Sequence, residues 1–193
     1  AVPGMTVTAP KDGAELIGLL RCALARTDGP FCLRYPRDKA PGEAPPAAEV
    51  APVPYGTWET LRSGKQCAIL AVGVMCQPAV KAAELLAQDG LDVSVINCRF
   101  LKPIDREMLD ALVRDHRMLV TVEDGTVVNG FGAQLAAVVQ TTAPETRVIT
   151  LGAPDRIYEH APRAKQLAEV GLTAEGIAER VRALAAEETL AAP

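Results

Sequence analysis

The chain has 193 residues, a formal net charge of −4 and a hydrophobic share of 49%. That share is ample for a globular core, and the scattered lysines and arginines argue against a nucleic-acid-binding surface. No apolar run approaches the roughly 18 residues that a membrane-spanning helix needs, and the first residues lack the basic and apolar regions of a signal peptide. We therefore expect a globular protein with neither nucleic acid nor membrane as partner.

Cysteine and histidine are few and dispersed. The five cysteines form no Cys-x-x-Cys pair, and neither His116 nor His160 has a second metal ligand at suitable spacing. Free cysteine among apolar neighbours behaves as a small hydrophobic residue. The pattern predicts a reducing, cytoplasmic setting with no disulfide framework and no metal site.

The first 40 residues are predicted to form a strand, a helix and a second strand. Residues 5–9 are rich in β-branched side chains, as strands are. Asp12 stands three residues before Glu15, the spacing of a capped helix start, and residues 31–36 return to an extended conformation. This α/β unit has nothing to pair with on its amino-terminal side. We expect it to be the end of a domain, and the start at Ala1 rather than methionine fits a cut chain.

A proline-rich stretch follows this unit. Residues 38–54 hold few large apolar side chains, so they cannot bury enough surface to fold alone and favour extended backbone. We place an interdomain linker at residues 41–54, between one domain ending at 1–40 and a second domain at 55–193.

The second domain alternates predicted strands and helices. The strands are expected at 67–72, 92–97, 118–123 and 147–152. Helices are expected after the first strand, after an Asp105 cap, at 132–143 and from Thr173 onward. This alternation predicts an α/β fold with a mainly parallel sheet and helices on both faces. In such sheets ligands bind at the carboxyl ends of the strands.

The glycine-rich turn "EDGTVVNGFGA", residues 123–133, joins a strand to a helix without matching a phosphate loop. Phe131 and Gly132 stand where such a loop requires Lys and Ser or Thr. The turn is therefore predicted to be a tight connection in which Asn129 and Gly130 adopt positive φ. Adjacent strand residues point to opposite faces, so Glu123 and Asp124 are predicted to form structural hydrogen bonds rather than an acid–base pair.

A second polar segment, "GAPDRIYEHAPR", follows the last predicted strand. It holds His160 next to Glu159, but no serine or cysteine nucleophile stands beside them. We interpret residues 152–163 as a polar loop held by local hydrogen bonds and ion pairs.

Arg34 is the strongest candidate for a ligand contact. It leaves a buried strand at the carboxyl end, where α/β proteins bind ligands, and Pro36 fixes the backbone just beyond it. A guanidinium offers a fork of donors suited to phosphate or carboxylate. From these residues alone, binding of an anion and an internal salt bridge both remain open.

Several stretches, read together, resemble a known family. "GMTVTAPKDGAEL", "GPFCLRYPR", "NCRFLKPID", "VTVEDGTVVNGFG" and "LGAPDRIYEH" occur in that order. They resemble the carboxyl-terminal third of the 1-deoxy-D-xylulose-5-phosphate synthase family, and the resemblance covers nearly the whole chain. Transketolase and the β-subunits of 2-oxo acid dehydrogenases share the architecture and look less similar at these stretches.

The resemblance implies a function for the longer enzyme. That family condenses pyruvate with glyceraldehyde 3-phosphate, with loss of carbon dioxide, using thiamine diphosphate and magnesium, and it feeds isoprenoid, thiamine and pyridoxal phosphate synthesis. It implies that residues 1–40 end a pyrimidine-binding domain and that 55–193 form a transketolase-type carboxyl-terminal domain. It also implies a cytoplasmic homodimer.

The same resemblance assigns residues and limits. Arg34 would hold the aldehyde's phosphate, with Tyr35 and Arg37 as possible secondary contacts, although Arg37 instead has the option of pairing with an acidic neighbour. The cofactor and metal sites and the catalytic residues of the family lie upstream, so this chain alone is expected to have no catalytic residue, to bind no cofactor and to be inactive. Its partners would be those upstream domains.

Two departures from the family pattern stand in this chain. Asn129 replaces a glycine, which its tolerance of positive φ permits. Asp38 replaces a glycine after "RYPR" and is expected to weaken phosphate binding through its negative charge. Two other hypotheses are a carboxyl-terminal part of a 2-oxo acid dehydrogenase β-subunit and a noncatalytic α/β association module.

Overall fold

A computed structural model describes residues 2–40 and 42–191, with side chains up to Glu187. Ala1, Pro41 and residues 192–193, which fall at the predicted domain limits, lie outside the described residues. The strands are β1 (Thr6–Thr8), β2 (Phe31–Leu33), β3 (Glu59–Arg62), β4 (Ala68–Ala71), β5 (Ser94–Asn97), β6 (Phe100–Lys102), β7 (Met118–Thr126) and β8 (Arg147–Ala153). The helices are α1 (Gly13–Leu24), α2 (Cys76–Gln88), α3 (Arg106–Asp115), α4 (Phe131–Thr142), α5 (Arg163–Glu169) and α6 (Ala174–Ala191).

The main sheet has five strands in the order β3-β5-β4-β7-β8. The strands β5, β4, β7 and β8 run parallel to one another, and the edge strand β3 pairs antiparallel with β5. Alternating strands and helices place helices on both faces, because each crossover must return over the sheet. The predicted α/β class with a mainly parallel sheet is confirmed.

Two apolar layers cover the two faces of this sheet. One layer packs α2 and α6 against the strands, with Ile69, Val120 and Ile177 at its centre. The other joins Trp58, residues of α3 and α4, and Leu19 of α1. The first α/β unit therefore contributes to the same core as the second. Among the described residues no helix is long and apolar enough to cross a membrane.

The first unit forms a second sheet of three strands in the order β2-β1-β6. β1 runs parallel to β2, as an α/β unit requires, and antiparallel to β6 from the larger part of the chain. The sequence predicted no partner for this unit on its amino-terminal side. The structure gives β1 a partner from residues 100–102 instead, a strand that the sequence analysis did not predict.

Residues after the first unit run along α1 before entering the main sheet. The amide of Val53 donates to the carbonyl of Gly18, and Arg21 Nη1 donates to the carbonyl of Val50 at 2.7 Å. A single turn of 3-10 helix, Ala47–Glu49, interrupts the otherwise extended backbone. From residue 42 onward, the predicted linker contains no helix or strand other than this turn, and its last residues are hydrogen-bonded to α1.

Both predicted helix caps are present. The Asp12 carboxylate accepts from the amide of Glu15 at 2.7 Å, and the Asp105 carboxylate accepts from the amide of Met108 at 3.0 Å. Each cap satisfies an amide that has no partner within its helix. Glu15 reaches back one residue further than the usual capping box and accepts from the amide of Lys11 at 2.7 Å.

Candidate functional site

Arg34 lies directly after β2, and its side chain reaches the carboxyl-terminal part of β7 in the main sheet. Its amide donates to the carbonyl of Thr8 at 2.8 Å, which fixes the backbone, and its Nη2 donates to the carbonyl of Asp124. Gly125 makes room for the guanidinium, since a Cβ there would lie 3.1 Å from Nη2. No ion pair of Arg34 occurs within residues 2–40 and 42–187, so its remaining donors are free for a ligand.

Two cavities meet at the Arg34 side chain. The smaller, of about 140 Å³, is bordered by Pro10, Tyr35, Gly73 and Asp124. The larger, of about 440 Å³, is mostly apolar and reaches Lys102 and Phe131. A cation at the boundary of two cavities offers its donors to a group in either one.

The Glu123 carboxylate caps the amino terminus of α4. Its side chain is buried, and its two carboxylate oxygens accept from the amides of Phe131 at 3.1 Å and Gly132 at 2.9 Å. These are two of the amides that a helix start leaves without an internal partner. The predicted structural role of Glu123 is confirmed, and the helix start is occupied by the protein's own carboxylate rather than open to a phosphate.

The turn before α4 is tight, as predicted. Asn129 has φ of 58°, which confirms its positive value. Gly130 has φ of −73°, so the prediction of positive φ was wrong at this position. Glycine is needed there for space instead, because a Cβ would come within 2.5 Å of Glu123 Oε1 and closer still to the Thr126 carbonyl.

The Asp124 side chain points away from Glu123 and forms ionic contacts with a neighbouring cation. Its carboxylate accepts from Arg163 Nε at 3.1 Å, and Arg163 Nη1 lies 3.4 Å from the carboxylate of Asp38. Arg163 thus stands between two carboxylates beside the Arg34 guanidinium. Because this one cation is shared by two carboxylates, it offsets only part of their charge, and the weakening of phosphate binding by Asp38 stays a prediction.

The remaining candidates divide into cavity and surface positions. Tyr35 is 63% exposed and borders the smaller cavity. Arg37 is exposed and, in the part of the chain that the structure describes, forms no ion pair with an acidic neighbour. His160 is exposed and is not joined to Glu159, whose carbonyl accepts from Gln166 at 3.1 Å. The predicted polar loop is confirmed, with Arg163 at the start of α5.

A buried polar network fastens the first unit to the larger part of the chain. The Glu15 side chain, 2% exposed, accepts from Asn97 Nδ2 at 2.7 Å and lies 3.6 Å from Arg99 Nη1. Lys11 Nζ donates to Glu15 at 3.3 Å and to Glu59 at 2.9 Å, and Asn97 also donates to Glu59 at 3.1 Å. Charged hydrogen bonds of this kind are among the stronger ones in proteins.

The charges of the network shift two pKa values in opposite directions. Burial alone would raise the pKa of Glu59, but the hydrogen bonds from Lys11 and Asn97 and the charges of Lys11 and Arg99 lower it below 4.5. Burial alone would lower the pKa of Lys11, but the hydrogen bond to Glu59 and the charges of Glu15 and Glu59 raise it above 10.5. Both shifts favour the charged forms, so the network is stabilised by its own ion pairs.

No group of three or more His, Cys, Asp or Glu side chains suited to a metal ion occurs in residues 2–40 and 42–187. The five cysteines are free thiols.

The contacts that join distant segments of the chain were not predicted from the sequence. Nothing in the local pattern indicated that Arg163 reaches Asp124 or that Lys11 reaches Glu59, because these pairs are separated by 39 and 48 positions. One signal was available. Glu15 is a charged residue on the apolar face of α1, and a buried charge needs a partner.

This chain is similar to a known protein family and to a solved structure. The model of the family "Transketolase, C-terminal domain" matches residues 56–177. A solved structure, "Split gene transketolase, inactive beta4 tetramer", aligns over 94% of this chain and 58% of its own, with a TM-score of 0.84 and 31% identity.

Curated relatives carry the name 1-deoxy-D-xylulose-5-phosphate synthase. The protein of Aquifex aeolicus is 44% identical over 94% of this chain, and that of Synechococcus sp. (strain JA-2-3B'a(2-13)) is 42% identical over 94%. The protein of Gloeobacter violaceus is 38% identical over 100% of this chain. The chain spans only 28 to 30% of the length of these relatives.

Proposed function

Because the chain belongs to the transketolase C-terminal domain family, we propose that it is the carboxyl-terminal part of a 1-deoxy-D-xylulose-5-phosphate synthase. The whole enzyme condenses pyruvate with glyceraldehyde 3-phosphate, with loss of carbon dioxide, in isoprenoid precursor synthesis. Relatives of that name match along nearly the whole chain. Residues 1–40 then complete the pyrimidine-binding domain, 41–54 are the linker and 55–193 are the carboxyl-terminal domain.

The environment of the Arg34 guanidinium is the main support for this proposal. Its guanidinium lies at a cavity, on the carboxyl edge of the strands, without a carboxylate partner in the described part of the chain. We assign it to the phosphate of the aldehyde substrate. Binding energy from that remote phosphate orients the reacting carbonyl and so contributes to the rate of the chemical step. Tyr35 borders the same cavity and is a secondary candidate, as is Arg37.

We place the cofactor outside this chain. Thiamine diphosphate supplies the electron sink for decarboxylation when it is bound, and residues 2–40 and 42–187 hold no group of three or more His, Cys, Asp or Glu side chains suited to a metal ion. The chain alone is therefore proposed to be inactive, with the upstream domains as its partner and a cytoplasmic homodimer as the assembled state. The free cysteines support a reducing compartment.

The test of Arg34 uses the longer polypeptide that the proposal requires. Replacing Arg34 with Met removes at least two charge-assisted hydrogen bonds to phosphate, about 3 kcal/mol, which corresponds to a roughly 100-fold loss in kcat/KM for glyceraldehyde 3-phosphate. The value for unphosphorylated glyceraldehyde should change by less than about two-fold, since only the phosphate contact is lost.

The matched control replaces Arg114, an exposed arginine of α3, with Met. Equal losses for both aldehydes would remove Arg34 from the phosphate site. A wild-type protein that decarboxylates pyruvate without condensing it with glyceraldehyde 3-phosphate would instead favour the β-subunit of a 2-oxo acid dehydrogenase.

A further inference from the structure

Arg163, the first residue of α5, lies between two carboxylates that belong to different parts of the chain. Its Nε donates to Asp124 Oδ2 at 3.1 Å, and its Nη2 donates to the same oxygen. Its Nη1 lies 3.4 Å from Asp38 Oδ2. Asp124 belongs to β7 of the main sheet, whereas Asp38 follows β2 of the first unit. We call this arrangement of Asp38, Asp124 and Arg163 the clamp.

The clamp is the polar connection between the segment that follows β2 and the rest of the protein. In the part of the chain that the structure describes, no other hydrogen bond or ion pair joins residues 35–40 to another element. The amide of Asp38 donates to the carbonyl of Pro36, which lies inside the segment. The same segment carries Tyr35 and Arg37, the two secondary candidates for phosphate binding, so their positions depend on the clamp.

The clamp also affects the orientation of Arg34. The backbone carbonyl of Asp124 accepts from Arg34 Nη2, while the side chain of Asp124 accepts from Arg163. That carbonyl lies in the peptide bond to Gly125, and glycine leaves the backbone more freedom than any other residue does. Holding the Asp124 side chain therefore limits the movement of the acceptor that directs the Arg34 guanidinium.

Two cavities lie beside this segment, and Arg34 and Arg163 border different ones. The cavity of about 140 Å³ is bordered by Arg34, and a second cavity of about 350 Å³ is bordered by Arg163 and Asp38. Pro36 and Val74 border both cavities and so lie between them. Arg163 is thus placed to hold the segment from behind rather than to share a ligand with Arg34.

We propose that Arg163 is a positioning residue of the phosphate site, which holds residues 34–38 against the main sheet through Asp38 and Asp124 and so keeps Arg34 directed at its cavity. This inference rests on the proposed function and adds the residue that fixes the phosphate contact in place. Arginine suits this position because its planar fork of donors reaches two carboxylates at once, whereas lysine offers a single point charge. Arg163 does not touch the substrate, so its effect passes through Arg34.

The first test measures kcat/KM of the longer enzyme with glyceraldehyde 3-phosphate and with unphosphorylated glyceraldehyde. For Arg163→Met we expect a loss of about ten-fold with the phosphorylated aldehyde and less than about two-fold with the other, because a small displacement weakens only the phosphate contact. Adding Arg163→Met to Arg34→Met should cost less than about two-fold more than Arg34→Met alone, since the two residues act as one unit. Arg163→Lys keeps an ionic contact and should recover part of the loss.

The matched control is Arg156→Met, which removes an ion pair with Glu169 whose members are about half exposed. It should change kcat/KM for either aldehyde by less than about two-fold, because exposed ion pairs contribute little. Equal losses for both aldehydes with Arg163→Met would reduce Arg163 to a structural role and overturn the inference. So would losses that multiply in the double variant, since Arg163 would then act independently of Arg34.

The second test needs no catalytic activity, so it separates this inference from the proposed function. Lys39 is exposed at the end of the held segment, and trypsin cleaves after lysine when the backbone opens locally. In this chain Arg163→Met should raise the rate of cleavage after Lys39 by about five-fold or more, and Arg156→Met should leave it unchanged.

An unchanged rate with Arg163→Met would show that the clamp does not hold the segment and would overturn the inference. A raised rate, together with a longer enzyme that makes no 1-deoxy-D-xylulose 5-phosphate from pyruvate and glyceraldehyde 3-phosphate, would support the clamp and reject the proposed function.

Discussion

Replacing Glu15 with Ala tests the contact between the first α/β unit and the rest of the chain. We call this contact, formed by Lys11, Glu15, Glu59, Asn97 and Arg99, the joint. The Glu15 carboxylate is 2% exposed and accepts from the Lys11 amide and from Asn97 Nδ2, both at 2.7 Å. Its loss leaves the Lys11 amide without this acceptor, and Lys11 Nζ and Arg99 without their buried counter-ion. The remaining carboxylate, Glu59, is 37% exposed and more distant from Arg99, at 4.0 Å.

The expected cost follows from the burial of these partners. Removing one member of a buried charged network costs about 3 to 5 kcal/mol, because the other members stay desolvated. We expect a loss of about 3 kcal/mol, at the lower end, because Asn97 and Lys11 keep Glu59 as an acceptor. For a chain of this size that corresponds to a fall in Tm of about 6 to 12 °C.

The assay is urea unfolding followed by the fluorescence of Trp58, the single tryptophan, which is buried and donates from Nε1 to the Phe100 carbonyl at 2.7 Å. The control is Glu187→Ala, which removes a surface ion pair with Arg147 whose members are about half exposed. Such pairs contribute at most about 1 kcal/mol. If Glu15→Ala costs no more than Glu187→Ala, the joint is not held by this network.

Two further predictions concern pH and an unpaired hydroxyl. Because the folded-state pKa of Glu59 lies below 4.5, its contribution to stability is present above pH 4.5 and is lost as pH falls through the folded pKa. The difference in unfolding free energy between wild type and Glu59→Gln should therefore shrink below pH 4.5. A constant difference down to about pH 3 would contradict this prediction. Thr121 Oγ1 is buried and has no hydrogen-bond partner in the described part of the chain. Replacing Thr121 with Val keeps the shape of the side chain and removes that polar atom, so Tm should stay the same or rise by a few degrees in a calorimetric scan. A fall in Tm as large as that caused by a core cavity would show that the hydroxyl is hydrogen-bonded in solution.

Local signals were sufficient for most strands and for every helix of the described residues except α5 (Arg163–Glu169), which was not predicted. Asp12 and Asp105 marked two helix starts correctly, because a cap depends on residues only three positions apart. The role of Glu123 was also predictable, since it lies within nine positions of the amides that it accepts from. Short-range chemistry of this kind can be read without knowledge of the fold.

Long-range placement could not be read in the same way. β6 has three residues and no alternating pattern to distinguish it, yet it closes the sheet of the first unit. The ion pairs of Arg163 with Asp124 and Asp38 bring together the start of α5, the end of β7 and the segment that follows β2. Both features are decided by tertiary packing, which overrides weak local preference.

The location of Arg34 explains why the joint matters for the proposed function. Its backbone belongs to the first unit, while the carbonyl that orients its guanidinium belongs to β7 of the main sheet. In the proposed enzyme this phosphate contact is therefore formed only when the two parts pack together, and the network around Glu15, which begins at Lys11 directly after the cavity-lining Pro10, joins the same two parts. Since a misplacement of about 1 Å can cost 10²-fold in rate, we expect a polar network that fixes this joint to contribute to substrate positioning in the proposed enzyme without touching the substrate.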